Sequence, residues 1–270
     1  MEGMESILII GGTGKTGRRI AARLRAAGRP VRTVSRRTGF DLGDPATWSF
    51  DGVAAAYLIE PDLQAAAMNP DGRVPAFVAA AVAAGVGRFV LLSAGGADAE
   101  HHPLRPAEQA VRGSGAGWTV LRPTWFAQNF SEGPWRAGVL SGSLSLPTGN
   151  GRVPFVDAED IAAVAVAALT EDHHDGRTYV LTGGRAISFG EATGIIGRAA
   201  GRTVRHVDID PGAYTERQVA DGVPLPIAQM FTGILTAIRD GRDAVCADGV
   251  ERALGRAPRP FEEYVAAADF

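Results

Sequence analysis

Lysine occurs once in this 270-residue chain, at Lys15, and cysteine once, at Cys246. A lone cysteine excludes an intrachain disulfide and any multi-cysteine metal centre, which suits a reducing, cytoplasmic setting. Positive charge is not in excess: 27 Lys and Arg stand against 30 Asp and Glu, a net charge of -3. That balance argues against nucleic acid or an anionic membrane as the main partner. Long apolar runs are missing too. The longest, Ala76–Val86 and Ile161–Leu169, fall short of the roughly 18 residues a membrane span needs. No secretory leader is expected, because Gly3-Met4-Glu5-Ser6 interrupts the start before a short apolar run. Repeats and low-complexity tracts are absent. With 46% hydrophobic and 21% charged residues, the chain can bury the core of one large domain or two unequal lobes.

Short β-rich runs alternate with Ala-rich helical stretches through the first half. Ser6–Ile10, Val31–Val34, Ala54–Ile59, Arg88–Leu92 and Trp118–Leu121 read as strands. Arg18–Ala27, Val74–Ala84 and Pro106–Arg112 read as helices, the first two stopped by Gly28 and Gly85. Near-continuous apolar strands alternating with helices predict a parallel sheet covered on both faces. The pattern then loosens. Ser131–Val156 is rich in Gly, Ser and Pro and reads as loops with short extended pieces. Ala158–Leu169 is helical, Tyr179–Thr182 is a strand, and Ser188–Glu191 has capping-box spacing and opens a helix. Val204–Ile209 looks extended. Pro226–Arg239 is an amphipathic helix with Ile227, Met230, Phe231, Ile234 and Ile238 on one face, read as core, with a pocket-lining role as the alternative. The fold class is α/β: a doubly wound parallel sheet of Rossmann type with a smaller mixed C-terminal lobe. Residues 1–130 are expected to form the dinucleotide-binding domain, with 153–183 completing the sheet. Residues 131–152 and 184–270 form the smaller lobe, expected to bind substrate.

The most informative segment runs from Gly11 to Gly17, directly after the first strand. It satisfies G-x-G-x-x-G through Gly12, Gly14 and Gly17, and G-x-x-G-x-x-G through Gly11, Gly14 and Gly17. Glycines at these spacings allow a tight turn, close approach of a pyrophosphate and tight helix–strand packing. The phosphates then meet free N–H groups at a helix N-terminus, so Gly11, Gly12, Thr13, Gly14, Lys15, Thr16 and Gly17 are cofactor candidates. Gly14-Lys15-Thr16 also ends like a nucleotide-triphosphate loop, but that motif needs glycine where Ile9 stands, and kinase or ATPase chemistry drops out. After the second strand an NAD site places an acid for the ribose 2′-hydroxyl. This chain has Ser35-Arg36-Arg37 instead, and a guanidinium pairs well with a 2′-phosphate. NADP, as NADPH, is the expected cofactor, ahead of NAD.

Several motifs together resemble the NmrA-like branch of the atypical short-chain dehydrogenase/reductases. They are Gly11–Gly17, Ser35-Arg36, Phe40–Leu42, Leu91–Ala94, Leu121–Phe130 and Val153–Ala162. Asp41–Trp48 and Leu146–Ala168 are most similar to bacterial relatives of the ergot-alkaloid (agroclavine and festuclavine) dehydrogenases of secondary metabolism. The resemblance implies that Asp41 and Leu42 lie near the adenine, and Ile59, Glu60 and Pro61 along the cofactor. It implies that Ser93 and the segment Thr124–Asn129, including Trp125 and Phe126, lie near the nicotinamide, and Ser93, Trp125 and Phe126 become the catalytic candidates. Asp160 reads as a helix start.

Typical short-chain reductases protonate the developing alkoxide with a Tyr-x-x-x-Lys pair. Here the residue four before Lys15 is Gly11, and Arg105-Pro106-Ala107-Glu108-Gln109 stands where relatives carry the lysine helix. An unactivated ketone needs a positioned acid, whereas an iminium ion or a quinone takes hydride without one. The protein then has mainly to hold the acceptor, and Trp125 and Phe126 can form an aromatic wall. Glu60 is either a balance for a cationic substrate or a surface carboxylate. No metal site is expected, since His101-His102 and His173-His174 are adjacent pairs whose side chains should diverge. His101 or His102 remains an alternative proton donor, and His206 lies in an extended segment. The leading function is NADPH-dependent reduction of a C=N, C=C or quinone group in a small metabolite. A non-catalytic NADP(H)-binding sensor is the rival, and monomer and homodimer both stay open.

Overall fold

The computed structural model describes residues 5–270, so Met1–Met4, on which the leader reading partly rests, lie outside the described residues. In chain order the strands are β1 (Ser6–Ile10), β2 (Val31–Val34), β3 (Val53–Ile59), β4 (Arg88–Leu92), β5 (Gly117–Pro123), β6 (Ser143–Leu146), β7 (Arg152–Val153), β8 (Arg177–Leu181), β9 (Ile187–Ser188) and β10 (Arg205–Asp208). The helices are α1 (Lys15–Ala26), α2 (Leu63–Met68), α3 (Val74–Ala83), α4 (Arg105–Arg112), α5 (Asn129–Glu132), α6 (Arg136–Leu140), α7 (Ala158–Thr170), α8 (Phe189–Ala199), α9 (Pro211–Ala220), α10 (Leu225–Arg239), α11 (Gly249–Leu254) and α12 (Phe261–Ala267).

Two compact units share the chain. The first holds the residues up to Pro123 with Ala158–Leu181 and Asp248–Arg256. Its six strands are ordered β2-β1-β3-β4-β5-β8, and every pairing is parallel. This is the doubly wound α/β sheet read from the sequence. Strand alternation sends Leu8, Ile10, Ala56, Leu58, Phe89, Leu91 and Val120 to one face, where they pack with Phe77, Val78 and Ala81 of α3 and Ala107 and Val111 of α4. Ile7, Ile9, Tyr57 and Val90 take the opposite parity and are buried as well. A parallel sheet buried on both faces requires this. Phe77 also anchors the loop after β2: Phe40, Trp48 and Phe50 meet its ring edge-on at 5.1–6.0 Å.

The second unit comprises Thr124–Asp157, Thr182–Ala247 and Ala257–Phe270. Its core is aromatic. Phe130 contacts Trp135, Phe155, Phe189 and Phe261 at centroid distances of 4.9–5.9 Å. β6 pairs in parallel with β10, and β7 antiparallel with β9. The sequence reading ended the first domain at residue 130, whereas the compact division falls after Pro123. Ala127 and Phe130 belong to the second unit's core, which draws residues 124–130 into it. Segments 158–181 and 248–256, rather than 153–183, join the first unit.

Two readings of individual elements need correction. The stretch 131–156, read as loops with extended pieces, also holds the end of α5 and all of α6. On α10 the buried residues are Ala228, Thr232, Leu235 and Ile238, while Met230, Phe231 and Ile234 of the expected core stripe are exposed. Of that stripe Ile238 is buried and Ile227 half-buried, so the buried face runs beside the predicted one rather than opposite it. Among the described residues no helix is long and apolar enough to cross a membrane.

Candidate cofactor and active site

The glycine turn is built from backbone contacts. Gly11 has φ +72°, a conformation that side chains disfavour, and its N–H and that of Gly12 both donate to Val34 O, at 2.9 and 3.1 Å. Gly14 N–H closes the turn onto Gly11 O at 2.8 Å. A Cβ at Gly17 would stand 2.3 Å from Gly11 O, and one at Gly12 2.5 Å from the Thr33 Cβ. These two glycines let the helix and the strand close on each other. Gly14 differs: it is exposed, extended (φ -79°, ψ 175°), and caps α1 without a side-chain hydrogen bond. The first turn of α1 contains no acidic residue. A helix that begins on glycine, with no acidic residue in its first turn, suits phosphate. Thr13 is exposed and Lys15 half-buried, while Thr16 is buried. The Tyr57 hydroxyl donates to Thr16 Oγ1 at 2.8 Å and ties the helix start to the sheet, and burial pushes the Tyr57 phenol far up. Ile59 packs on the turn from β3, with its Cγ2 3.0 Å from where a Gly11 Cβ would lie.

Ser35, Arg36 and Arg37 follow β2. The Ser35 N–H donates to Thr38 Oγ1 at 2.9 Å, and the Ser35 side chain faces the Thr38 N–H in a capping box. Arg36 and Arg37 are exposed at the start of a short 3-10 turn. Asp41 is exposed as well, and its Oδ1 accepts Gly43 N–H at 2.8 Å. Leu42 is buried in the core shared with Phe40 and Phe77, so its side chain is chiefly a packing element.

Glu60 corrects both sequence readings. It is neither a surface carboxylate nor free to balance a cation. Its side chain is 1% exposed and clamped by Arg73, with Nε–Oε2 at 2.9 Å and Nη2–Oε1 at 3.0 Å. Asp62 N–H adds a third bond at 3.0 Å. Pro61, between them, is exposed.

The carboxyl ends of β4 and β5 hold a network that the sequence reading missed. Ser93 Oγ donates to Glu108 Oε1 at 2.7 Å. Arg122, from β5, donates to both Glu108 oxygens, Nε to Oε1 at 2.8 Å and Nη2 to Oε2 at 2.7 Å. Arg112 reaches Oε2 at 3.3 Å, and Asp98 Oδ1 lies 3.4 Å from Arg122 Nη1. Burial alone pushes the Glu108 carboxyl up, but the bonds from Arg122 and Ser93 outweigh it and hold the group below the ordinary carboxylate range. Glu108 is therefore ionised, and the one hydroxyl hydrogen of Ser93 is committed to it. The apolar α4 positions Ala107 and Val111 flank Glu108, so an acid in such a helix was the available signal. His102 accepts Leu104 N–H on Nδ1 at 3.1 Å, and burial moves its pKa down, leaving a neutral imidazole.

Within the second unit, Trp125 stacks on Trp135 at 5.4 Å and donates its indole N–H to Asp243 at 3.1 Å. Phe126, half-buried, makes a parallel bridge with Val156 through the backbone. Thr124 Oγ1 donates to Pro154 O at 3.1 Å, and Asn129 N–H to Phe126 O at 3.0 Å, opening α5. Asp160 lies in the first turn of α7, as read, and takes Arg256 at 2.7 Å.

The NAD(P)H-binding family profile matches residues 49–172. A (4-alkanoyl-5-oxo-2,5-dihydrofuran-3-yl)methyl phosphate reductase from Streptomyces griseus is 37% identical, covering 96% of this chain and 96% of its own length. Festuclavine synthase I from Penicillium roqueforti is 29% identical, again covering 96% of each chain. The crystal structure of Citrobacter sp. triphenylmethane reductase complexed with NADP(H) matches 98% of this chain and 100% of that one, at 25% identity and a TM-score of 0.78. The family resemblance read from the motifs is borne out: the chain is an oxidoreductase that belongs to the NAD(P)H-binding family.

Proposed function

We propose that this oxidoreductase uses NADPH to reduce an activated C=N, C=C or quinone group of a small metabolite, without an essential side-chain acid. The observation that carries the reading is the commitment of the Ser93 hydrogen to ionised Glu108. Ser93 then offers only lone pairs to a ligand. It can accept a hydrogen bond but cannot protonate an alkoxide, the step that an unactivated ketone requires. Neutral His102 is a weak donor, and the lone lysine lies at the phosphate turn. NADPH, when bound, supplies the hydride. The chain's own tasks are to bind, orient and keep water away.

Preference for NADPH over NADH is supported by exposed Arg36 and Arg37 directly after β2, in a turn with no acidic residue. Gly11–Gly17 would hold the pyrophosphate and Asp41 the adenine edge. Glu60 would shape the cofactor strand through its clamp on Arg73 rather than touch a substrate. Trp125 and Phe126 are proposed to position the acceptor. Trp125 is the more rigid, being stacked and hydrogen-bonded. The exposed apolar face of α10, with Met230, Phe231 and Ile234, is the proposed surface for an apolar substrate.

NADPH oxidation measured with a quinone, a cyclic iminium ion and a simple cyclic ketone tests the reading. Turnover of the first two without the third is expected. Ketone reduction that disappears in Ser93→Ala would overturn it. Tight NADPH binding with no turnover of any acceptor would transfer the protein to the sensor reading.

A further inference from the structure

We propose that Glu171, His173 and His174 form a zinc-binding site at the amino-terminal edge of the sheet, away from the phosphate turn. The three residues run through the 3-10 turn Asp172–His174 between α7 and β8. Because every strand of this sheet is parallel, a turn entering β8 lies at the opposite edge from the glycine turn leaving β1.

Adjacent histidines were expected to diverge, and here they do not. Their ring centroids are 4.0 Å apart, with 38° between the planes. His173 Nδ1 stands 3.6 Å and His174 Nε2 3.8 Å from the same oxygen, Glu171 Oε2. One ligand atom from each residue lies within 4.8 Å of the others.

His174 carries the second observation. Its side chain is fully buried, and its Nε2 has no hydrogen-bond partner among the described residues. Its Nδ1 is 2.9 Å from the Tyr179 hydroxyl, and its carbonyl accepts Thr119 Oγ1 at 2.8 Å. Ring and backbone are therefore fixed, with the unpartnered nitrogen aimed at Glu171. An imidazole held on one nitrogen, with the other left as an acceptor, is the arrangement a metal-bound histidine has. Zinc bonds of about 2.0–2.2 Å put tetrahedral ligands roughly 3.5 Å apart, so the set needs to close by about 1 Å. His173 and Glu171 can do this, being 66% and 52% exposed. Arg88, the nearby cation, pairs with Asp172 and donates to Glu171 O at 2.8 Å, leaving the Glu171 carboxylate available. Two imidazoles and one carboxylate with an exposed fourth position suit Zn²⁺ better than a hard cation. Such a site ties the α7–β8 turn together and has no part in hydride transfer.

The test uses the full chain stripped of metal and titrated with ZnCl₂ by calorimetry, with thermal melts alongside. One saturable equivalent per chain is expected, raising the melting temperature. Glu171→Ala and His173→Ala, both at exposed positions, should each weaken binding by at least about tenfold, and Tyr179→Phe by roughly tenfold through loss of ring orientation. A His101→Ala/His102→Ala variant should bind like wild type. Three results overturn the proposal: no saturable binding in wild type, wild-type affinity in Glu171→Ala or His173→Ala, or binding that is lost with His101 and His102.

Discussion

Glu108→Gln removes one negative charge while keeping nearly the same volume. The Glu108 side chain is 4% exposed and faces Arg122, itself 14% exposed, through two bonds of 2.7–2.8 Å. In either amide orientation the NH₂ would confront one of the two Arg122 donors, so Arg122 would keep one neutral acceptor and, as a charged partner, only Asp98. That partner is 71% exposed and 3.4 Å away, a contact worth at most about 1 kcal/mol. Removing one partner of a buried ion pair costs about 3–5 kcal/mol. The residual exposure of Arg122 and the acceptor that Gln keeps place the expected loss at the lower end, about 3 kcal/mol. At about 2–4 °C per kcal/mol for a chain of this size, the melting temperature should fall by roughly 6–12 °C. Urea unfolding of Glu108→Gln, Arg122→Met and the double variant measures it. The double variant should cost less than the sum of the singles by at least about 1.5 kcal/mol, since neither charge is then left alone. The wild-type pH dependence has a definite sign. Glu108 is held below its ordinary value of 4.5, so its stabilisation is complete above that value and is lost as pH falls through the lower folded value. Glu108→Gln should flatten this acid-side loss. A loss below about 1 kcal/mol with no coupling to Arg122 would refute the reasoning.

Other perturbations address the cofactor and the acceptor. Arg36→Ala should weaken NADPH by about 1.5–3 kcal/mol, roughly ten- to a hundredfold, and leave NADH unchanged, as titration of both cofactors would show. Equal wild-type affinities for the two would sink the assignment of the 2′-phosphate contact. Gly14→Val should fold, since a Cβ there meets only Gly11 O at 3.1 Å, yet lose cofactor binding, whereas Gly17→Ala should disturb the turn itself. Circular dichroism with a binding titration separates the two. With a turned-over acceptor, Trp125→Ala should lower kcat by up to about a hundredfold through mispositioning, with His101→Ala and His102→Ala near wild type. The reverse ranking would make the loop after Ser93 the catalytic element. Phe231→Ala should raise KM for an apolar acceptor with little change in kcat.

The parallel sheet was legible because its signals are local. Four- to seven-residue runs rich in apolar and β-branched residues, several followed within a few positions by glycine or proline, state their own identity, and Gly11–Gly17 states its chemistry through spacing alone. What escaped was set by partners distant in sequence. Glu60 stayed divided between a substrate partner and a surface acid because Arg73 lies thirteen positions on and returns to it only when α3 packs. Glu108 gained its meaning from Arg122 and Ser93, which three different elements bring together. The α10 stripe was misassigned for a related reason. Periodicity finds an apolar face, but the tertiary partners select the line Ala228, Thr232, Leu235 and Ile238, which shares only Ile238 with the predicted stripe. The His173-His174 pair was misjudged because neighbouring side chains diverge in an extended chain and need not in a 3-10 turn.

The last strand of the sheet arrives late. β5 is complete at Pro123, but its outer neighbour β8 begins only at Arg177, after the chain has left to form β6 and β7. Until then the backbone N–H and C=O groups along one side of β5 have no ladder partner, and in a nascent or truncated chain they form an open edge of the kind that recruits other strands. Closing that gap needs a long-range loop, and its entropy must be met before the pairing rewards it, which slows folding. A chain cut near residue 130 would keep the whole glycine turn and yet be prone to aggregate. The cofactor-binding fold is contiguous in function but not in synthesis, and its integrity depends on residues made well after the site they support.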